Sequence, residues 1–180
     1  MFRVKLRALS RLSEFRKRKV MVLEDFRLVD LGFGEISLTK GSEDKLPGWL
    51  ADYLENKGMI KTLDEITLEE LGRILFNEKQ NINVPASIVK VSPNFYSLSD
   101  KLLKKLRESK DLEALEQLRK ASNMLNEIKS IRLRKIINIA LLNITDQNLL
   151  SNLALEEYLL YSSLRDLISN IMVSKSGATT

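Results

Sequence analysis

The chain has 180 residues, 44% of them hydrophobic and 29% charged, and it contains no cysteine and no histidine. That composition fits a folded protein of one domain or two small ones. It excludes disulfides, thiolate nucleophiles, Cys/His zinc sites and every His-based triad or general base. An enzyme would have to work with Asp, Glu, Lys, Ser or Tyr alone, so a non-catalytic binding or assembly protein without cofactor or metal is the expectation.

The net charge of +5 is unevenly placed. Within residues 1–19, Arg3, Lys5, Arg7, Arg11, Arg16, Lys17, Arg18 and Lys19 face only Glu14, which sums to +7 and leaves the remainder at −2. Residues 1–18 therefore read as a basic arm. Several readings of the arm stay open. Arg3, Arg7, Arg11 and Arg18 against Phe2, Leu6, Leu9 and Leu12 suit an amphipathic helix, and an Arg-rich, acid-poor start suits an organellar transit peptide. A nucleic-acid or membrane-surface contact would use the same charges, with Arg3, Arg7, Arg11, Lys17 and Arg18 as candidate nucleic-acid contacts. A solvated terminus is the bland alternative. No run approaches the roughly 20 apolar residues of a membrane span, and no secretory signal is visible, so the Asn143-Ile144-Thr145 sequon carries no weight.

From Val20 to Lys40 the pattern is strand-like, with Gly32-Phe33-Gly34 as a hairpin turn and Ile36 and Leu38 alternating with polar neighbours. Residues 41–45 read as a polar loop. Pro47 fits a first helical turn, Trp49, Leu50, Tyr53 and Leu54 form an apolar face, and Gly58 stops the helix. Trp49 reads as core, and this helix packs its aromatic face onto the strands. Thr67-Leu68-Glu69-Glu70 is a capping box opening a helix to about Asn77. Residues 81–92, with Val84-Pro85, are a loop or extended passage, and Ser92-Pro93 begins a helix with Phe95, Leu98, Leu102, Leu103 and Leu106 on one side. Asp111 to Leu142 is one long helix, and a last helix runs from about Leu149 to Met172. The fold class is α+β, mostly α, with a small β domain (residues 19–62, one packed helix), a helical bundle domain (63–173) and a disordered tail (174–180).

The long helix carries a seam of sevenfold spacing: Ala114, Ala121, Ile128, Lys135 and Leu142, interleaved with Leu118, Leu125, Arg132 and Ile139. Two cations sit inside it. Buried, each must meet a carboxylate or several carbonyls; the competing reading is snorkelling, with both heads sent to water. Elsewhere no chemistry gathers. Asp64-Glu65, Glu69-Glu70 and Glu156-Glu157 read as helix-start or exposed carboxylates, and Lys101, Lys104, Lys105 and Arg107 form a basic cluster more often solvated than functional.

Three segments, in order, resemble the GINS replication factors. Lys45-Leu46-Pro47-Gly48-Trp49-Leu50-Ala51 resembles the "(V/L)P-x-WLA" signature after the small β domain, with Gly48 where a bulkier residue is common. Ser92-Pro93-Asn94-Phe95-Tyr96 is similar to the "SP-x-YY" helix start, and Arg132-Leu133-Arg134-Lys135-Ile136 resembles the "R-x-x-K-(I/L)" stretch of the central helix. The likeness runs from about Lys19 to Met172 and is strongest to archaeal subunits related to partner-of-Sld-five two and three, in which the β domain comes first. It implies a non-catalytic subunit that assembles with a sister subunit into a heterotetramer and joins the MCM helicase to a RecJ-like partner of the Cdc forty-five type, with primase or polymerase as further contacts and at most weak DNA contact. It also implies a cytoplasmic, nucleoid-associated location, or a nuclear one in a eukaryote. On this reading Leu118, Leu125, Arg132, Lys135, Ile136 and Ile139 form the subunit interface, and Pro47, Trp49 and Leu50 fix the β-domain helix. The alternative is a small helical nucleic-acid-binding regulator that uses the basic arm.

Overall fold

The computed structural model describes residues 15–28, 36–109 and 111–176, with isolated positions at 4 and 8. These residues fall into two compact units, one within Arg7–Glu65 and one from Ile66 onward.

The first unit is built from β1 (Lys17–Val22), β2 (Phe26–Leu28), β3 (Ile36–Leu38), β4 (Glu43–Pro47), α1 (Gly48–Asn56) and β5 (Ile60–Thr62). One antiparallel sheet has the order β4-β1-β5, and β2 pairs with β3. Arg18, Val20 and Val22 of β1 are buried, whereas Lys17 and Lys19 are exposed, so the period of two decides which face of the sheet is covered. Leu50, Ala51 and Leu54 of α1 join Val20, Val22, Leu38, Leu46 and Ile60 in its core, with Trp49 packed at the side.

Pro47 caps α1 with φ −53°, and the Gly48 N–H donates to Arg16 O at 2.9 Å. The helix ends at Lys57, followed by Gly58 with φ +74°, the left-handed stop that glycine adopts without a Cβ penalty. Three expectations change here. The polar loop at 41–45 gives way to β4 from Glu43, because three of its five residues face water and so show no apolar alternation. Ile60–Thr62 is a strand too short for a period to be seen. Tyr53 is exposed, so only Trp49 of the two aromatics packs inward. The Gly32-x-Gly34 turn lies outside the described residues; the flanking register, Phe26 opposite Leu38 and Leu28 opposite Ile36, is that of a hairpin.

The second unit holds α2 (Leu68–Gln80), α3 (Phe95–Glu108), α4 (Leu112–Leu141), α5 (Gln147–Leu150) and α6 (Leu155–Ser176). The Thr67 hydroxyl accepts the Glu70 N–H at 3.1 Å, the capping contact that opens α2. Helix α4 packs against α2, α3 and α6 and spans two cores. One gathers Leu71, Ile74, Val91, Phe95, Ala121, Leu125, Ile128 and Ala154; the other gathers Ile88, Ile136, Ile139, Ala140, Leu149, Leu150, Leu153 and Tyr161. Asn143, with φ +49°, follows the end of α4. The single last helix of the sequence reading is two helices with a turn at 151–154, whose Leu153 and Ala154 are buried. Of the expected tail, residues up to Ser176 are helical and 177–180 lie outside the described residues.

Candidate functional site: a buried charge network on the central helix

Arg132 and Lys135 lie one turn apart on the inward face of α4, and neither reaches water: Arg132 is 0% exposed and Lys135 1%. Their seam position sends both long side chains toward α2 and α6, where two carboxylates wait. Glu78 projects from the last turn of α2, on the same side as Leu71 and Ile74, and Glu157 from the first turn of α6. Both carboxylates are buried as well.

The geometry accounts for every donor of Arg132. Nε donates to Glu157 Oε1 at 2.7 Å and Nη2 to Glu157 Oε2 at 2.7 Å, a bidentate fork. Nη1 donates to Glu78 Oε1 at 2.6 Å and to Val89 O at 2.7 Å, and Nη2 also to Asn152 O at 3.2 Å. Lys135 Nζ donates to Glu78 Oε2 at 2.6 Å and to Ser87 O at 2.8 Å. The carboxylates are equally occupied. Glu78 Oε1 accepts the Val89 N–H at 3.0 Å, Glu157 Oε1 accepts the Tyr96 hydroxyl at 2.6 Å, and Glu157 Oε2 accepts the Ala154 N–H at 2.8 Å.

Two cations and two anions cancel, which is what makes burial of four ionised groups tolerable. Burial alone would push the Arg132 guanidinium down, but the hydrogen bonds and charge of Glu157 and the charge of Glu78 outweigh it and hold its pKa above the ordinary value. For Glu157, burial pushes the carboxyl up, yet Arg132, then the Tyr96 hydroxyl and the Ala154 N–H, bring it below the usual carboxylate range. Burial first, and the Glu157 anion second, raise the Tyr96 phenol far above its usual range, so Tyr96 stays a neutral donor.

The network fastens α2, α3, α4 and α6 together. It also pins two irregular stretches by their backbone, 87–89 through Ser87 O and the Val89 N–H and O, and 152–154 through Asn152 O and the Ala154 N–H. All five guanidinium N–H groups are engaged by the chain itself, so the cluster acts as an internal clasp and not as a ligand site.

Residues 65–174 match the profile of the GINS complex protein helical bundle domain (Sld5 type), which is more than half of the chain. The chain belongs to the GINS family. No curated protein matches it in sequence. The matched stretch is the helical unit that the clasp holds together.

Within this GINS helical bundle the expected interface seam is a correction. Leu125, Arg132, Lys135, Ile136 and Ile139 are sealed inside one chain by α2, α3 and α6, and Leu118 is half-buried. The five sealed residues have no surface to offer a partner, whereas Leu118 keeps part of its own. The expectation that both cations meet carboxylates and carbonyls holds, and snorkelling is overturned by their burial.

Arg18, read as a nucleic-acid contact, is likewise corrected: its Nη1 lies 2.7 Å from Asp52 Oδ1 on α1, and the side chain is buried. Lys17 is exposed on β1, and Arg3, Arg7 and Arg11 lie outside the described residues. Leu50 is buried, and Pro47 and Trp49 are half-buried at the start of α1.

Glu78, Glu157 and Tyr96 were missed. Glu78 lies beyond the expected end of α2 at Asn77, and Glu157, next to Glu156, has the sequence look of a helix-start charge. The available signal was register: Leu71, Ile74 and Glu78, and Ala154, Glu157 and Tyr161, each continue an apolar i, i+3 or i+4, i+7 row.

Proposed function

We propose that this GINS chain is a non-catalytic scaffold subunit. Its helical unit assembles with a sister GINS subunit into a heterotetramer, and the complex joins the MCM helicase to a RecJ-like partner of the Cdc forty-five type at the replication fork. Its β unit, and the rim of the assembly, meet further partners such as primase or polymerase. The order of the units, β first and helical second, favours an archaeal subunit related to partner-of-Sld-five two and three, working in the cytoplasm beside the nucleoid.

The observation that carries the reading is the GINS helical bundle match over residues 65–174. The outside of that bundle supports it. Leu133, Ile137 and Leu141 recur every fourth residue on the outer side of α4 and are exposed, next to Leu142 at 67% exposure; Leu167 and Met172 of α6 are exposed as well. Apolar side chains set in rows on an outer helical face gain by being covered, at about 25 cal/mol per Å² of apolar area. The interface thus moves from the inner seam to the back of the same helix.

The test is size-exclusion chromatography with light scattering on the full chain, alone and with a sister GINS subunit. The wild-type chain is expected to co-elute with that subunit, and Ile137→Asp to stay separate while keeping its circular dichroism spectrum. A wild-type chain that remains a monomer indifferent to the sister subunit refutes the reading.

A further inference from the structure

A second concentration of charge lies on the β unit. Strand β1 is the middle of its sheet, with β4 on one side and β5 on the other. Its residues alternate: Arg18, Val20 and Val22 turn to the core, while Lys17, Lys19 and Met21 turn outward. The register sets Lys19 opposite Lys45 of β4, and Met21 between Glu43 of β4 and Lys61 of β5. Residues directly opposite one another share a face, with Cβ atoms about 4.5–5.5 Å apart.

The outer face therefore carries Lys17, Lys19, Lys45 and Lys61, all exposed, against Glu43. Asp64 stands at its rim, where Oδ2 accepts the Lys19 N–H at 3.0 Å. Among the described residues no carboxylate lies within ion-pair distance of any of these four ammonium groups. Folding does not account for the arrangement. A solvent face needs only polar residues, and like charges directly opposite one another weaken a sheet.

We propose that the outer face of the β4-β1-β5 sheet binds the phosphate backbone of single-stranded nucleic acid. Lysine is a mobile point charge suited to phosphate, and two-residue steps along β1 set the Cα atoms of Lys17 and Lys19 about 6.8 Å apart on a surface over which an extended strand can lie. Among the described residues that the register places on this face, Met21 and Pro47 are the apolar ones and none is aromatic, so the bases are not read. Binding is therefore independent of sequence and dominated by charge. An acidic peptide is served less well. Recognition of an extended peptide draws on free backbone groups and side-chain pockets, and β1 is hydrogen-bonded along both edges.

The experiment is fluorescence anisotropy of a labelled oligo-dT with the full chain across a sodium chloride series. Each phosphate contact to a single strand contributes about −0.7 to the slope of log affinity against log salt. Lys19→Gln/Lys45→Gln should make the slope shallower by about 1.4 and lower the low-salt affinity about tenfold or more. Lys101→Gln/Lys104→Gln/Lys105→Gln on α3 should leave both unchanged. Circular dichroism checks that each variant is folded, and residues 1–16 are common to all, so their charges cancel in the comparison. The proposal is overturned if the sheet variant binds oligo-dT with unchanged slope and affinity, if the α3 variant takes the loss instead, or if an oligoglutamate peptide of equal charge competes as well as oligo-dT. Because it needs no sister subunit, failure here is separate from failure of the assembly reading.

Discussion

Replacing Arg132 with methionine keeps most of the side-chain volume and removes the charge that neutralises Glu157. The two carboxylates are left unequally. Glu78 keeps Lys135 at 2.6 Å and the Val89 N–H, whereas Glu157 keeps only the Tyr96 hydroxyl and the Ala154 N–H. An anion buried to 4% exposure with no cation beside it is the main penalty. Breaking one side of a buried pair costs about 3–5 kcal/mol, a large share of the roughly 5–15 kcal/mol that holds a protein folded.

For a helical unit of this size that loss lowers the melting midpoint by on the order of 10–20 °C. Urea unfolding followed by circular dichroism at 222 nm reports the helical unit, while fluorescence of Trp49, the chain's single tryptophan, reports the β unit. The dichroism transition should move to lower urea. The double variant Arg132→Met/Glu157→Gln should regain about 2 kcal/mol, because the orphaned charge is then gone, the amide oxygen can accept the Ala154 N–H, and the amide NH2 can donate to the Tyr96 hydroxyl oxygen in its place. An Arg132→Met cost under about 1 kcal/mol, or a double variant no more stable than the single one, refutes the clasp.

Tyr96→Phe removes the hydroxyl donated to Glu157 and should cost about 1.5–3 kcal/mol, as expected for a hydrogen bond to a charged group, read from the same urea transition. The pKa of Glu157 is lower in the folded state than in the unfolded chain, so its stabilisation is complete above the ordinary carboxylate pKa of about 4.3 and is lost as pH falls below it. Stability measured from pH 8 to 3 should thus fall on the acid side, less steeply in Arg132→Met/Glu157→Gln. Arg132 is raised instead, so its contribution is present at every pH below its ordinary value and adds no slope in that window. Gly58→Ala forces a Cβ into φ +74° with no neighbour to clash with, so its cost is conformational, about 1–2 kcal/mol, visible in the Trp49 fluorescence transition.

Long-range periodicity was legible where it was long. Helix α4 covers thirty residues without Gly or Pro, and its reading as Asp111 to Leu142 differs from Leu112–Leu141 only by the two caps. The Thr67 cap and the Gly58 stop were legible because each depends on local backbone chemistry. Strands β4 and β5 were not. One offers a run of three exposed polar residues and the other only three residues, too few for a period. The sequence pattern joins α6 to α5 because Leu153 continues the apolar row through a turn, which is hidden for the same reason that Leu153 is buried.

Sequence by itself determined that this protein has no Cys or His chemistry, that a β unit precedes a helical one, and that two cations interrupt the apolar seam of the long helix, with burial and snorkelling both open. Those are properties of residue type and spacing along one chain. Only the tertiary structure decided which partners answer those cations, because Glu78 and Glu157 lie 54 and 25 residues from Arg132 and are brought to it by the packing of α2 and α6 onto α4. It likewise decided that the answer comes from the same chain and that the apolar surface left over lies on the back of α4. A one-dimensional pattern shows that a face must be covered; what covers it depends on helices meeting in space.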